Sequence, residues 1–270
     1  TVTGPLGDPV EAPWRFSRNV AVIEMALASG LELAGGAAGN DPLAASTTGT
    51  GELIDAALDA GAKKIIVCLG GSATTDGGLG ALRAIHGPQR LRGVELLVAC
   101  DVETVFADAA VVFGPQKGAT PAQVELLTGR LERLVQVYRN DYGVDVSELA
   151  GSGAAGGLAG SLVALGATLM PGFDLVADEV DLYDAIATAD LVITGEGYLD
   201  EQSFNGKVIG GVAEMAGALG KPVAAIVGDA DPAVADRIEH ISLVAAFGRE
   251  RALAATRTCI EDAATMLLRR

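Results

Sequence analysis

A chain of 270 residues, half of them hydrophobic, is long enough to bury one large core or two modest ones. Its net charge of −16 and pI near 4.4 argue against partners such as nucleic acid or an anionic membrane, since either needs a basic face. The expected partner is a small molecule, and an anionic one must be neutralised locally by Mg²⁺, helix N-termini and a few placed cations.

The opening, Thr1 to Phe16, lacks the basic stretch and apolar core of a secretion signal, so a cytoplasmic location is expected. Apolar runs predict strands at Val20 to Met25, Lys64 to Leu69, Val94 to Ala99, Leu191 to Thr194, Val223 to Val227 and Ile241 to Ala246. Between them, helices are predicted over Gly51 to Asp59, Pro121 to Asn140, Gly157 to Leu165, Lys207 to Leu219 and Glu250 to Leu268. Thr120-Pro121 is a helix start, with threonine as cap and proline at the first helical position. This alternation predicts an α/β fold with mostly parallel sheets. The apolar stretch Leu158 to Met170 is too short to span a bilayer and reads as a buried helix. Polar Asn140 to Gly153 reads as a loop, and the composition shift at Pro171 to Asp174 marks a domain boundary. Cys68, Cys100 and Cys259 have no CxxC spacing, and His86 and His240 lie near no cysteine pair. They predict small buried thiols in a reducing compartment and no zinc site.

The segment Gly70-Gly71-Ser72-Ala73-Thr74-Thr75-Asp76-Gly77-Gly78 follows an apolar run and opens onto a helix at Leu79. Such a turn suits an anion, because backbone N–H groups are freed at a helix start and glycine lets a ligand approach closely. Ser72 and Thr74 add hydroxyls, and Asp76 adds a carboxylate able to hold Mg²⁺. Glycine-rich turns of this kind also occur in α/β proteins of every function. Asp101 ends a strand, where it either serves chemistry or makes a strand-end hydrogen bond, and Lys117 precedes a helix, where it is either a phosphate clamp or a surface cation. Gly151 to Gly156 fits GxGxxG, but polar residues rather than a strand precede it, so a glycine-rich helix entry is the better reading. The run Leu191 to Ser203 is expected to end a strand in a Gly195-Glu196-Gly197 turn that presents Glu196, Asp200 and Glu201 at the sheet's carboxyl edge, where open α/β sheets bind ligands. A solvated acidic loop is the alternative. Gly206-Lys207-Val208 is not a Walker A motif, since Val208 stands where Ser or Thr is required.

Taken together these segments resemble the bacterial type 1 glycerate kinases. Gly70 to Gly78 is similar to that family's Gly-Gly-Ser-Ala-Thr-Asn-Asp-Gly-Gly signature, with Thr75 at the Asn position. Gly195, Glu196, Gly197, Asp200, Gln202, Gly206 and Lys207 match a second family pattern, in which Tyr198 replaces Arg and Ser203 replaces Thr. Losing that Arg removes a bidentate anion contact. Val112 to Thr120 and Gly153 to Gly157 also resemble family segments, and the likeness runs from Thr1 to the helix beyond Lys207.

The resemblance implies a flavodoxin-like inserted domain over residues 1–176 and the C-terminal part of a Rossmann-like domain over 177–270. The family's opening motifs are not found in the chain, so the second domain is expected to expose apolar sheet edge, and a homodimer is one way to cover it. The implied reaction is transfer from ATP, with Mg²⁺, to D-glycerate, with 2-phosphoglycerate favoured as product. Asp76, Asp101, Asp200 and Lys207 are the implied catalytic residues, and Asp76, Asp101 and Glu196 the implied metal ligands. Phosphate or substrate falls to Gly70, Gly71, Ser72, Thr74, Gln116, Lys117, Gly195, Gly197 and Gln202. A catalytically silent glycerate- or phosphate-binding module, or an incomplete fragment of the kinase, is the alternative; a nicotinamide-dependent dehydrogenase resting on GxGxxG is a third.

Overall fold

A computed structural model describes residues 1–204 and 208–269. The chain divides into two compact units, Thr1–Gly172 and Phe173–Arg270. Both are mixed α/β with mostly parallel sheets, as the alternating pattern predicts. Among the described residues no helix is long and apolar enough to cross a membrane.

The first unit opens with a small antiparallel pair, β1 (Val2–Thr3) and β2 (Pro9–Val10). Its main sheet then takes β3 (Arg15–Ser17), β4 (Val20–Glu24), β5 (Lys64–Cys68), β6 (Glu95–Ala99) and β7 (Thr168–Met170) in that spatial order. Only β3 is antiparallel to its neighbour. Strands β5 and β6 are central, so both faces are covered and their interiors read as continuous apolar runs, with Ile65, Val67 and Val98 fully buried. Helices Thr48–Asp59 and Leu158–Ala164 add Leu53, Ile54, Leu158 and Leu162 to the same core, against which the single tryptophan, Trp14, packs beside Phe16. A second core lies under helix Pro121–Val137, where Phe106 and Tyr138 meet edge to face. That helix begins as predicted: the Thr120 hydroxyl accepts from the Gln123 N–H, and Gln123 reaches back to the Thr120 N–H, a reciprocal cap. It ends at Val137 and widens into a π-helical turn over Tyr138–Tyr142, where continuous helix to Asn140 and loop beyond are expected.

Strand β7 departs from the single buried helix expected over Leu158 to Met170. The helix stops at Ala164, Gly166 turns the chain at φ 96°, and Thr168–Met170 joins the edge of β6. An apolar run alone does not separate helix from buried strand; the glycine was the available signal.

The second unit holds a parallel sheet ordered β10-β9-β8, formed by β8 (Val192–Leu199), β9 (Val223–Ala230) and β10 (Glu239–Ser242). Helix Val208–Ala218 and the C-terminal helix Thr256–Leu268 supply Ile209, Val212, Cys259, Ala263 and Leu267 to its cores. Two predictions are corrected here. The strand expected over Ile241 to Ala246 ends at Ser242, whose hydroxyl accepts from the Ala245 N–H and starts a short helix, Leu243–Phe247. The strand expected to end at Thr194 continues through Gly-Glu-Gly to Leu199, because Tyr198 and Leu199 still pair with Asp229 and Ala230.

Candidate active site

Strands β5 and β6 end side by side, and the segments that follow them open a cleft of about 420 Å³. Gly70, Gly71 and Ser72 line it from the first strand, Cys100 and Asp101 from the second, and Gln116 and Lys117 from the turn before the Thr120 cap. Six residues expected to bind anion or metal are therefore brought to one wall-lined hollow at the carboxyl edge of a parallel sheet, the usual ligand position in such folds.

The glycine-rich turn is shaped from behind. Leu31 donates to the Gly71 carbonyl at 2.8 Å and Ala73 donates to the Ser29 carbonyl at 2.9 Å, pinning both ends. Among the described residues, no backbone carbonyl accepts from the N–H of Gly70, Gly71 or Ser72. Gly70 has open space where a side chain would start, and Gly71 sits at φ 73°, a left-handed conformation that glycine adopts without strain. The result is an array of backbone donors with room above it.

Lys117 is 2 % exposed, which is rare for a lysine without an anionic partner. Its ammonium donates to the Thr74 carbonyl at 2.7 Å and lies 5.9 Å from the Phe113 ring centre. Among the described residues Thr74 is its one hydrogen-bond acceptor, which leaves two N–H donors for the cleft. Burial lowers its pKa from 10.5 to about 8, opposed by the field of Asp76. Thr74 is fully buried and serves through this carbonyl; its hydroxyl faces Ala155 rather than the cleft.

Asp101 keeps one carboxylate oxygen on the Gly172 N–H at 2.6 Å, so the strand-end hydrogen bond is present while the exposed group still faces the cleft. Beside it, burial raises the pKa of the Cys100 thiol. Asp76 lies in a neighbouring hollow with Ser46, Thr48, Glu52 and Arg83. Its Oδ2 accepts from the Thr47 N–H, the Thr47 hydroxyl and the Gly80 N–H, and its Oδ1 from the Gly78 N–H. Four donors on one carboxylate make it the clamp that starts helix Leu79–Ala84.

Gly153 and Gly156 of the GxGxxG segment also have packing roles. A Cβ on Gly153 would stand 2.4 Å from the Val105 carbonyl, and one on Gly156 2.0 Å from the Thr74 carbonyl. The segment buttresses the back of the glycine-rich turn and leads into helix Leu158–Ala164, without a preceding strand.

In the second unit, Gly195 and Gly197 lie inside β8, and the close approach of β9 explains the first: its Cβ would meet the Ile226 carbonyl at 2.3 Å. Asp200 accepts from the Ser203 N–H and hydroxyl, closing the turn Glu201–Phe204, and Glu201 pairs with Arg237 at 2.9 Å. Gln202 sits on that turn. Glu196 lines an apolar hollow of about 500 Å³ with Ile193, Ile226, Leu243 and Ile260; its Oε1 is buried and unpartnered among the described residues. Lys207 and Gly206 lie outside the described residues. Among those described, no three His, Cys, Asp or Glu side chains gather to hold a metal. Asp76, Asp101 and Glu196 occupy three separate hollows. Asn40, which the sequence reading passed over, reaches both cleft segments with its side chain.

A family model described as the glycerate kinase family matches residues 1–88 and 85–270. The chain is 41 % identical over 273 residues to a glycerate kinase of Halalkalibacterium halodurans, covering 88 % of this chain and 72 % of that protein. It is also 41 % identical over 261 residues to the glycerate 2-kinase of Escherichia coli, covering 84 % of this chain and 68 % of the relative. A crystal structure from Salmonella typhimurium LT2, of a protein provisionally named glycerate kinase 2, superposes with a TM-score of 0.83 at 40 % identity, over 99 % of this chain and 81 % of that one.

Proposed function

Because the chain belongs to the glycerate kinase family and is a phosphotransferase with an alcohol acceptor, we propose that it phosphorylates D-glycerate from MgATP, with 2-phosphoglycerate as product. The observation that carries this reading is the buried Lys117 ammonium beside the N–H groups of Gly70, Gly71 and Ser72, with two ammonium donors and all three N–H groups unpartnered among the described residues. Cations and backbone dipoles fixed in a partly dry site stabilise charge on a phosphoryl group without reorganising during the reaction.

The donor set suits a polyphosphate. Asp101 has a carboxylate oxygen free of protein partners among the described residues, which is what Mg²⁺ needs when it is held by one carboxylate and substrate phosphates. Bound there, the ion would neutralise phosphate charge. Lys117 and the glycine-rich turn orient the donor, and Lys207 is the second cation assigned to the transferred charge. Gln116, at the cleft's rim, is assigned to substrate orientation. The acceptor hydroxyl forms a new O–P bond as the β,γ-bridging bond breaks, releasing ADP, and its proton passes to a carboxylate; the family resemblance is what offers Asp200 for that role. In this scheme Asp76 acts at a distance, through its clamp on the turn and its field on Lys117.

The test is ³¹P NMR of the folded chain with D-glycerate and MgATP. A phosphoglycerate resonance with the shift of the 2-isomer is expected. ATP left intact by a well-folded chain would overturn the kinase reading in favour of a binding module.

A further inference from the structure

Asn40 follows the short helical turn Gly36–Gly39 and does not itself line the cleft. Its Nδ2 donates to the Ala73 carbonyl at 3.0 Å and to the Lys117 carbonyl at 2.9 Å. Two carbonyls flank one end of the amide, so that end must be the donor. Oδ1 is thereby turned away, buried and unpartnered among the described residues. An asparagine with an unpaired buried oxygen is costly unless its donors matter.

The two carbonyls belong to the two segments that form the anion-binding wall. One residue beyond Ala73, the Thr74 carbonyl takes the Lys117 ammonium. The segments are thus joined twice, through Asn40 at their main chains and through the lysine's own head group. The seat beneath is tight: Gly118 closes the Lys117 turn at φ 90°, and a Cβ there would stand 2.2 Å from the Ala37 carbonyl.

We propose that Asn40 is a positioning residue for phosphoryl transfer, holding the Lys117 turn against the glycine-rich turn so that the ammonium stays buried on Thr74 with its remaining donors facing the cleft. The proposal rests on the phosphotransfer reading for what Lys117 does, but not for where Lys117 is held. Among the described residues, Asp76 acts on the lysine from the helix-start side, and Asp101 and Cys100 share its cleft. Asp41, next to Asn40, spends its carboxylate on the Leu43 and Ala44 N–H groups, so removing Asn40 changes solvent access to the ammonium rather than the charges around it.

The experiment follows the Lys117 side chain by NMR in the full chain, with its resonance assigned from Lys117→Arg, and titrates it in the wild type and in Asn40→Ala. The wild-type midpoint is expected near 8. In Asn40→Ala the loosened turn admits water, and the midpoint is expected to rise by about one unit or more, a tenfold change in proton affinity. An unchanged midpoint overturns the proposal. In parallel, Asn40→Ala should lower kcat/KM at least tenfold in the wild type and less than twofold in a Lys117→Met background; equal losses in both also overturn it. If Asn40→Ala does not fold, Asn40→Ser, which keeps one donor, is judged by the same two readouts, with half the midpoint shift expected. A chain that turns over no glycerate but shows the shifted midpoint refutes the kinase reading and leaves the positioning role standing.

Discussion

The two units each carry closely spaced glycines at a strand, Gly70-Gly71 in the first and Gly195-Glu196-Gly197 in the second, and the two are used in opposite ways. Gly70 and Gly71 follow the end of β5, with open space over Gly70 and backbone donors facing a cleft. Gly195 and Gly197 lie within β8, where the place of a side chain on Gly195 is taken by the β9 backbone, and Gly228 stands likewise against the Gly197 carbonyl. Gly70 keeps atoms out so that a ligand can come in; Gly195 and Gly228 keep them out so that two strands can meet. Residue type alone does not distinguish these cases, whereas the Cβ-sized space beside each glycine does.

The contrast is most exposed at Lys117. Lys117→Met should lower kcat/KM by about 10²–10³, roughly 3–4 kcal/mol of transition-state stabilisation, with unchanged circular dichroism. A loss below tenfold would remove the first unit's cleft from the chemistry. In the second unit the cost should fall on stability instead. Gly228→Ala places a Cβ 2.4 Å from the Gly197 carbonyl, and urea titration should show a loss of about 2 kcal/mol or more. A neutral result would mean that the strands can part at no cost.

Lys117 also gives a pH test. Its folded-state pKa, about 8, lies below the ordinary 10.5, so between these values the unfolded chain holds more protons. Stability therefore rises with pH across that window, by up to about 3 kcal/mol from this group. Below pH 8 the penalty of burying the charge is fully present. Comparing the pH dependence of the urea midpoint with that of Lys117→Met isolates the contribution, and parallel curves would contradict the burial argument.

Smaller effects sharpen the comparison. Asp101→Asn keeps an oxygen for the Gly172 N–H, so stability should move by less than about 0.5 kcal/mol while turnover falls about tenfold. Gly70→Ala has room for its methyl and should change stability by no more than about 0.5 kcal/mol, while KM for MgATP rises a few-fold. If Gly70→Ala proved more damaging to stability than Gly228→Ala, the distinction between open and filled glycines would be wrong.

Much of this was readable beforehand where local chemistry and tertiary context agree. The central strands β4, β5 and β6 follow from apolar runs ended by polar residues, and the helix at Pro121 follows from its Thr120 cap. What was not readable depends on pairing between distant segments. β7 exists because β6 offers an edge, and β8 outlasts its glycines because β9 continues beside it. The donors that Thr47 and Gly80 bring to the Asp76 carboxylate depend on how the fold seats the glycine-rich turn. Asn40 carries no motif; its importance comes from two carbonyls that the fold delivers from 33 and 77 residues away.

Trp14 packs against the core of the first unit, and the chain has no other tryptophan. Indole emission is therefore a private signal of that unit, whereas far-ultraviolet dichroism sums the helices of both. If the two traces separate during denaturation, the units melt independently, and the cleft can be assayed for anions while the second unit is already unfolded. Coincident traces would mean instead that the residues beyond Gly172 share in the cooperative stability of the cleft.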